Sequence, residues 1–111
     1  MNELTKAVTE FLRFLSDPIK LEIIKSLKNS GKTAKEIEKV LNISQSYTSQ
    51  QLKQLKNADI IVHKKINGTK TYFIKNNNVF RIISAVNSFV IEQHKHKFRN
   101  LIDSDNIEKL K

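Results

Sequence analysis

Residues 33–57 read TAKEIEKVLNISQSYTSQQLKQLKN, and this stretch decides the fold. Thr33-Ala34-Lys35-Glu36 is a capping box, with Thr33 at the N-cap and Glu36 at the third helical position. The short helix it opens carries Ile37, Val40 and Leu41 on its expected inner face. Asn42-Ile43 makes a tight turn, and Ser44 caps a second helix that runs to about Asn57. On that helix Thr48, Leu52 and Leu55 recur at helical steps and point inward. Ser46, Ser49, Gln50 and Lys53 share another face. Two short helices joined by a tight turn form a helix-turn-helix, and its second helix is the element that enters a DNA groove.

Downstream, the period changes from helix to strand. Ile60 to Ile66 and Thr69 to Lys75 are rich in β-branched and aromatic residues, and Asn67-Gly68 lies between them. Asn-Gly favours a two-residue hairpin because both turn positions need positive φ. Lys64, Lys65 and Lys70 flank the tip, so the hairpin reads as a basic wing. Upstream, Leu4, Ala7, Val8, Phe11 and Leu15 mark an amphipathic helix from Glu3 to Leu15. Asp17-Pro18 starts another, with Ile23, Ile24 and Leu27 inward and Gly31 as the expected left-handed stop. A last helix is expected from about Asn78 to Arg99. The fold class is mainly α with a β-hairpin wing, in the order α-α-α-α-β-β-α. Residues 1–102 are expected to form one DNA-binding and dimerisation domain, and 103–111 a polar C-terminal tail.

Charge supports the same reading. The 111 residues hold 20 Lys and Arg against 11 Asp and Glu, a formal net charge of +9. The excess is concentrated: residues 31–75 carry nine Lys against Glu36, Glu38 and Asp59. From Ser44 to Lys56 there is no acid at all, whereas an ordinary solvated helix face mixes Glu with Lys. An acid-free helix beside a basic hairpin points to double-stranded DNA. Gln45, Ser46, Ser49 and Gln50 can donate to and accept from base edges, and Tyr47 on the same helix and Asn67 at the wing tip are also expected to meet DNA. Lys53, Lys64, Lys65 and Lys70 suit phosphates, which position a protein without reading sequence. His63, in the first wing strand, meets either phosphate or solvent.

Several classes drop out. With no Cys, the chain has no disulfide and no thiolate metal site. Its apolar runs are far shorter than the roughly 20 residues of a membrane span. No Gly-rich phosphate loop or nucleophile–base arrangement appears, so an enzyme is not expected. A cytoplasmic protein with no membrane partner fits these features.

The pattern Asp17-Pro18-x-Lys20-Leu21-x-Ile23-Ile24-x-x-Leu27, followed by Leu41-Asn42-Ile43-Ser44-Gln45-Ser46-x-x-Ser49-x-x-Leu52-Lys53-x-Leu55, resembles the ArsR/SmtB family of dimeric winged-helix repressors. The resemblance covers about residues 4–95. It implies that Gln45, Ser46, Ser49 and Gln50 face the major groove, with Gln50 where the family commonly has His. Asp59 stands where the family usually has Gly. Many members release DNA on binding metal through one of two sites. The first needs a Cys-x-Cys element, where this chain has Lys32-Thr33-Ala34-Lys35. The second needs Asp-x-His and His-x-x-His or His-x-x-Glu, where this chain has Asn76-x-Asn78 and Phe89-x-x-Glu92. No metal and no cofactor is therefore expected, and the inducer is unknown; a small molecule between the long helices is one alternative.

The flanking helices are apolar over more than one packed face. Leu4, Val8 and Phe11 of the first, with Phe80, Ile83, Phe89, Val90 and His94 of the last, are expected to pair two copies into a homodimer. The alternatives are a sequence-tolerant architectural DNA binder and a winged helix that serves protein contacts.

Overall fold

In the computed structural model, which describes residues 2–99, the chain divides into two compact units, Met1–Asn77 and Asn78–Lys111. The expected tail, residues 103–111, lies outside the described residues. Helix α1 (Glu3–Ser16) starts at Asn2, whose side chain accepts from Thr5 N at 2.7 Å. Asp17 then breaks the helical path with extended backbone and caps α2 (Pro18–Ser26), accepting from Ile19 N and Lys20 N at 3.0 and 3.4 Å. Pro18 needs no amide donor at the first helical position. Ile23 and Ile24 are wholly buried, and Leu27 nearly so.

Gly31 does not act as the expected left-handed stop. Helix α2 closes on the short turns Leu27 N to Ile24 O and Lys28 N to Lys25 O, and Gly68 is the glycine with positive φ. Gly31 is small for another reason: a Cβ there would overlap Cε1, Cζ and Cδ1 of the Phe73 ring. The next two residues, Lys32–Thr33, form a short strand β1 that the hydrophobic pattern does not signal.

Thr33 also caps α3 (Ala34–Leu41) through the full reciprocal box, with Glu36 N donating to Thr33 Oγ1 at 3.2 Å and Thr33 N to Glu36 Oε1 at 2.9 Å. Ile37 is buried and Leu41 half-buried, but Val40 is 59% exposed, contrary to expectation. At 100° per residue Val40 lies about 60° to one side of Ile37, while Leu41 lies about 40° to the other.

Asn42 takes the left-handed conformation (φ 55°, ψ 52°), and Ile43 N closes back on Glu38 O. Ser44 then caps α4 (Gln45–Asn57), accepting from Tyr47 N at 3.2 Å. Asp59, at φ 61°, ends α4: its N–H donates to Lys56 O and that of Ile60 to Leu55 O, both at 3.0 Å. These two bonds are the pair that closes a Schellman motif. Strands β2 (Ile61–Ile66) and β3 (Thr69–Ile74) pair antiparallel around Asn67 (φ 51°) and Gly68 (φ 81°). Strand β1 joins the other edge of β3, Lys32 opposite Tyr72 and Thr33 opposite Thr71, so the sheet has order β1-β3-β2. The architecture is a winged helix-turn-helix.

In the second unit, α5 spans Asn78–Gln93 and ends before the expected Arg99. His94 N is shared between Val90 O and Ile91 O, and residues 94–98 form turns. After Ile91 the next apolar side chain is Phe98, and His94-Lys95-His96-Lys97 between them offers only polar and cationic side chains. Among the described residues no helix is long and apolar enough to cross a membrane.

Candidate nucleic-acid interface

Helix α4 separates its two faces cleanly. Thr48, Gln51, Leu52 and Leu55 are buried. Ser46, Ser49, Gln50 and Lys53 are exposed and occupy an arc of about 100°, centred some 160° from the buried stripe. Gln45 and Tyr47, also exposed, border that arc. The expected base-reading residues therefore all reach solvent on one side of one helix. Thr48 holds the inner side by donating its hydroxyl to Ser44 O at 2.7 Å.

Gln51 is the polar member of the buried stripe, at 5% exposure. Its Oε1 accepts from Lys20 Nζ at 2.7 Å, and the same ammonium donates to Asp17 Oδ2 at 3.0 Å. Lys20 is itself buried, an uncommon place for an ammonium without partners. The hydrogen bond from Lys20, with smaller help from the amides of residues 20 and 19 and least from the Lys20 charge, holds the Asp17 carboxyl below its ordinary range against the opposing effect of burial. The cap by Asp17 follows from the sequence, but the contacts of Lys20 Nζ with Gln51 and Asp17 do not. The available signal was Gln51's place at steps of three, one and four from Thr48, Leu52 and Leu55.

The wing lysines do not form a single cluster. Lys65 and Lys70 face each other directly across the two strands, whereas Lys64 is paired with Thr71 on the opposite face of the ribbon. Lys64 Nζ lies 5.1 Å from the centroid of Phe73, the ring that Gly31 accommodates. Asn67 contributes the turn. His63, on the Lys65–Lys70 face, pairs with Tyr72 at a ring separation of 5.8 Å, and its Nδ1 is buried without a hydrogen-bond partner. Burial first, then the positive charges of Lys56, Lys70 and Lys65, push its pKa below the ordinary 6.5.

The residues expected at a dimer interface differ in availability. Helix α1 has no buried residue; Leu4 is 73% exposed, Val8 is exposed and Phe11 half-buried. On α5, Phe89 is 63% exposed, Val90 and His94 are exposed and Phe80 is half-buried. Ile83, by contrast, is buried, at 7% exposure. Val86 and Ile82 are exposed instead. His94 stacks edge-to-face on Phe98 at 6.1 Å. Among the described residues no three His, Asp or Glu side chains converge as metal ligands.

The family model for bacterial regulatory proteins of the arsR family matches residues 17–62, from the α2 cap into β2. No curated protein matches the sequence. Among solved structures, the homodimeric winged helix-turn-helix DNA-binding domain of Mb0332 from Mycobacterium bovis is similar, with a TM-score of 0.74 at 19% identity, over 84% of this chain and 86% of that one. The transcriptional repressor BigR from Xylella fastidiosa gives 0.67 at 22% identity, over 82% of this chain and 90% of that one. A predicted DNA-binding transcriptional regulator from E. coli gives 0.67 at 27% identity, over 77% and 90%. These likenesses establish the fold.

Proposed function

We propose that this chain, which carries the helix-turn-helix domain of the bacterial arsR-family regulatory proteins over residues 17–62, is a homodimeric repressor that occupies a pseudo-palindromic operator. Domains of this family belong to DNA-binding transcriptional regulators, not to enzymes. The observation that carries the reading is the exposed face of α4: polar, free of acid, and opposite a buried stripe that fixes it. Gln45, Ser46, Ser49 and Gln50 meet base edges in the major groove, with Tyr47 beside them. Lys53, Lys65, Lys70 and, on the other side of the ribbon, Lys64 take phosphates, and Asn67 at the tip reaches the flanking groove.

The exposed apolar positions of α1 and α5 pair two copies, placing the reader helices about 34–36 Å apart on successive major grooves. Support comes from the homodimeric state of Mb0332 and from BigR's description as a repressor. Residues 1–102 serve as the DNA-binding and dimerisation domain, acting in the cytoplasm, and 103–111 as a tail. Release from DNA does not run through a metal at either familiar site of the family, because Lys32 to Lys35, Asn76, Asn78 and Phe89 supply none of the ligands.

The test is selection of duplexes from a random pool, followed by binding of wild type and Gln50→Ala to the selected and scrambled sequences. Gln50→Ala should cost ~1–3 kcal/mol on the selected duplex and little on the scrambled one. Equal losses on both would refute base reading by Gln50. A pool that yields no preferred sequence would replace the repressor with a sequence-tolerant architectural protein.

A further inference from the structure

The ammonium of Lys20 sits where three helices meet. It donates to Gln51 Oε1 on α4 at 2.7 Å and to Asp17 Oδ2 at the N-terminus of α2 at 3.0 Å. It also lies 5.8 Å from the ring centroid of Phe14 on α1. Only 10% of the Lys20 side chain is exposed. Asp17, in turn, is fixed by the amides of Ile19 and Lys20 that it caps. The chain of contacts therefore runs from the capped end of α2, through one buried cation, to the side chain next to Gln50.

We infer that Lys20 is a positioning residue for DNA reading: through Gln51 it sets the rotation at which α4 presents Ser46, Ser49 and Gln50. The inference rests on the reading of α4 as the recognition helix. Leu52, Leu55 and Thr48 bury the same stripe, but apolar packing tolerates small rotations of a helix about its axis, since it has no preferred direction. A charge-assisted hydrogen bond is short and directional, and its geometry deteriorates with small displacements. Gln51 stands one residue from Gln50 and two from Ser49, so a rotation that breaks the bond moves the base-reading side chains with it. Bidentate contact with a base edge depends on placement within about half an ångström.

With only a tenth of its side chain exposed, Lys20 is withdrawn from phosphate, so its loss should alter discrimination and not the electrostatic part of binding. The experiment compares wild type, Lys20→Met, Lys20→Arg and Gln51→Met on the duplex selected by the wild-type chain and on its scrambled counterpart. Each is titrated in salt at a temperature where circular dichroism shows the variant folded. For Lys20→Met and Gln51→Met the ratio of selected to scrambled affinity should fall roughly tenfold, the size of one misplaced polar contact, while the salt slope on scrambled DNA stays that of wild type. Lys20→Arg, which keeps a buried donor for both partners, should restore much of the ratio. Gln51→Met breaks the tie from the reader's side and leaves the Asp17–Lys20 pair intact, so it carries the test even if Lys20→Met does not fold. A folded variant with lowered thermal stability and an unchanged ratio would make the contact merely structural and overturn the inference. Failure of the wild-type chain to select any sequence would instead refute base reading itself, and the inference would fall with it.

Discussion

Lys65 and Lys70 are direct cross-strand partners next to the Asn67-Gly68 turn. In a two-residue hairpin the closing pair, here Ile66 and Thr69, is hydrogen-bonded, so the following pair is not, and its Cα atoms approach to about 4.5 Å. Two exposed ammonium groups thus share the closest kind of pairing, which costs the free wing a few tenths of a kcal/mol at moderate salt. If the wing meets DNA as proposed, the same proximity would concentrate charge toward phosphate. Lys65→Gln should therefore move stability and binding in opposite directions. Removing one phosphate contact changes the slope of log K against log salt by about 0.9, hence about 1.8 for a dimer with two wings, or roughly thirtyfold in affinity at 0.15 M salt. The unbound protein should melt about 1–2 °C higher at low salt, and the gain should vanish in 1 M salt. Salt-titrated fluorescence anisotropy and thermal denaturation measure the two effects. A lower melting temperature would show that the pair is not repulsive, and an unchanged slope would show that Lys65 does not meet phosphate.

Other perturbations separate the remaining parts. Gly31→Ala forces a methyl against the Phe73 ring, and even after the lower chain entropy of Ala is counted it should destabilise by about 1 kcal/mol in urea unfolding; a stabilised variant would mean that the ring is free to move aside. Because the folded protein holds His63 below its ordinary pKa of 6.5, unfolding takes up a proton, so the stability contributed by His63 is present above that value and declines as pH falls through the lowered folded value. Replacing His63 by Asn should flatten that decline between about pH 7 and 5, and identical pH profiles would exclude the residue as its source. Phe89→Glu places a charge on the most exposed aromatic of α5 and should shift sedimentation from dimer to monomer; an unchanged assembly would remove α5 from the interface.

Much of the fold is local chemistry, and that is why so much of it is legible. Thr33 and Glu36 satisfy each other's backbone within one turn, Ser44 caps α4, and Asn67-Gly68 closes the hairpin, each with partners only a few residues away. Asp59 could be recognised as a helix stop because Asp tolerates a left-handed backbone better than most side chains. The failures have the opposite character. Strand β1 is two residues long and owes its existence to the edge of β3, some forty positions away in the chain. The smallness of Gly31 answers to Phe73, and the exposure of Val40 depends on which side of a short helix its neighbours approach.

The same division runs through the site. The exposed polar arc of α4 and the lysines of the wing are visible as residue types at helical and strand spacing, because exposure needs no partner to explain it. Two features are not visible. The alternation of β2 sends Lys64 to the face opposite Lys65, so a basic run in the sequence becomes two separate contacts in space. Lys20 and Gln51, residue types most often found at the surface, are instead buried on each other across 31 positions of chain. A buried lysine costs stability unless it is fully partnered, and an apolar pair of similar volume would have filled the same space. What the polar pair adds is direction. The polar groups proposed to read bases are thus written in α4 alone, while the angle at which α4 offers them is proposed to depend on a residue at the start of α2.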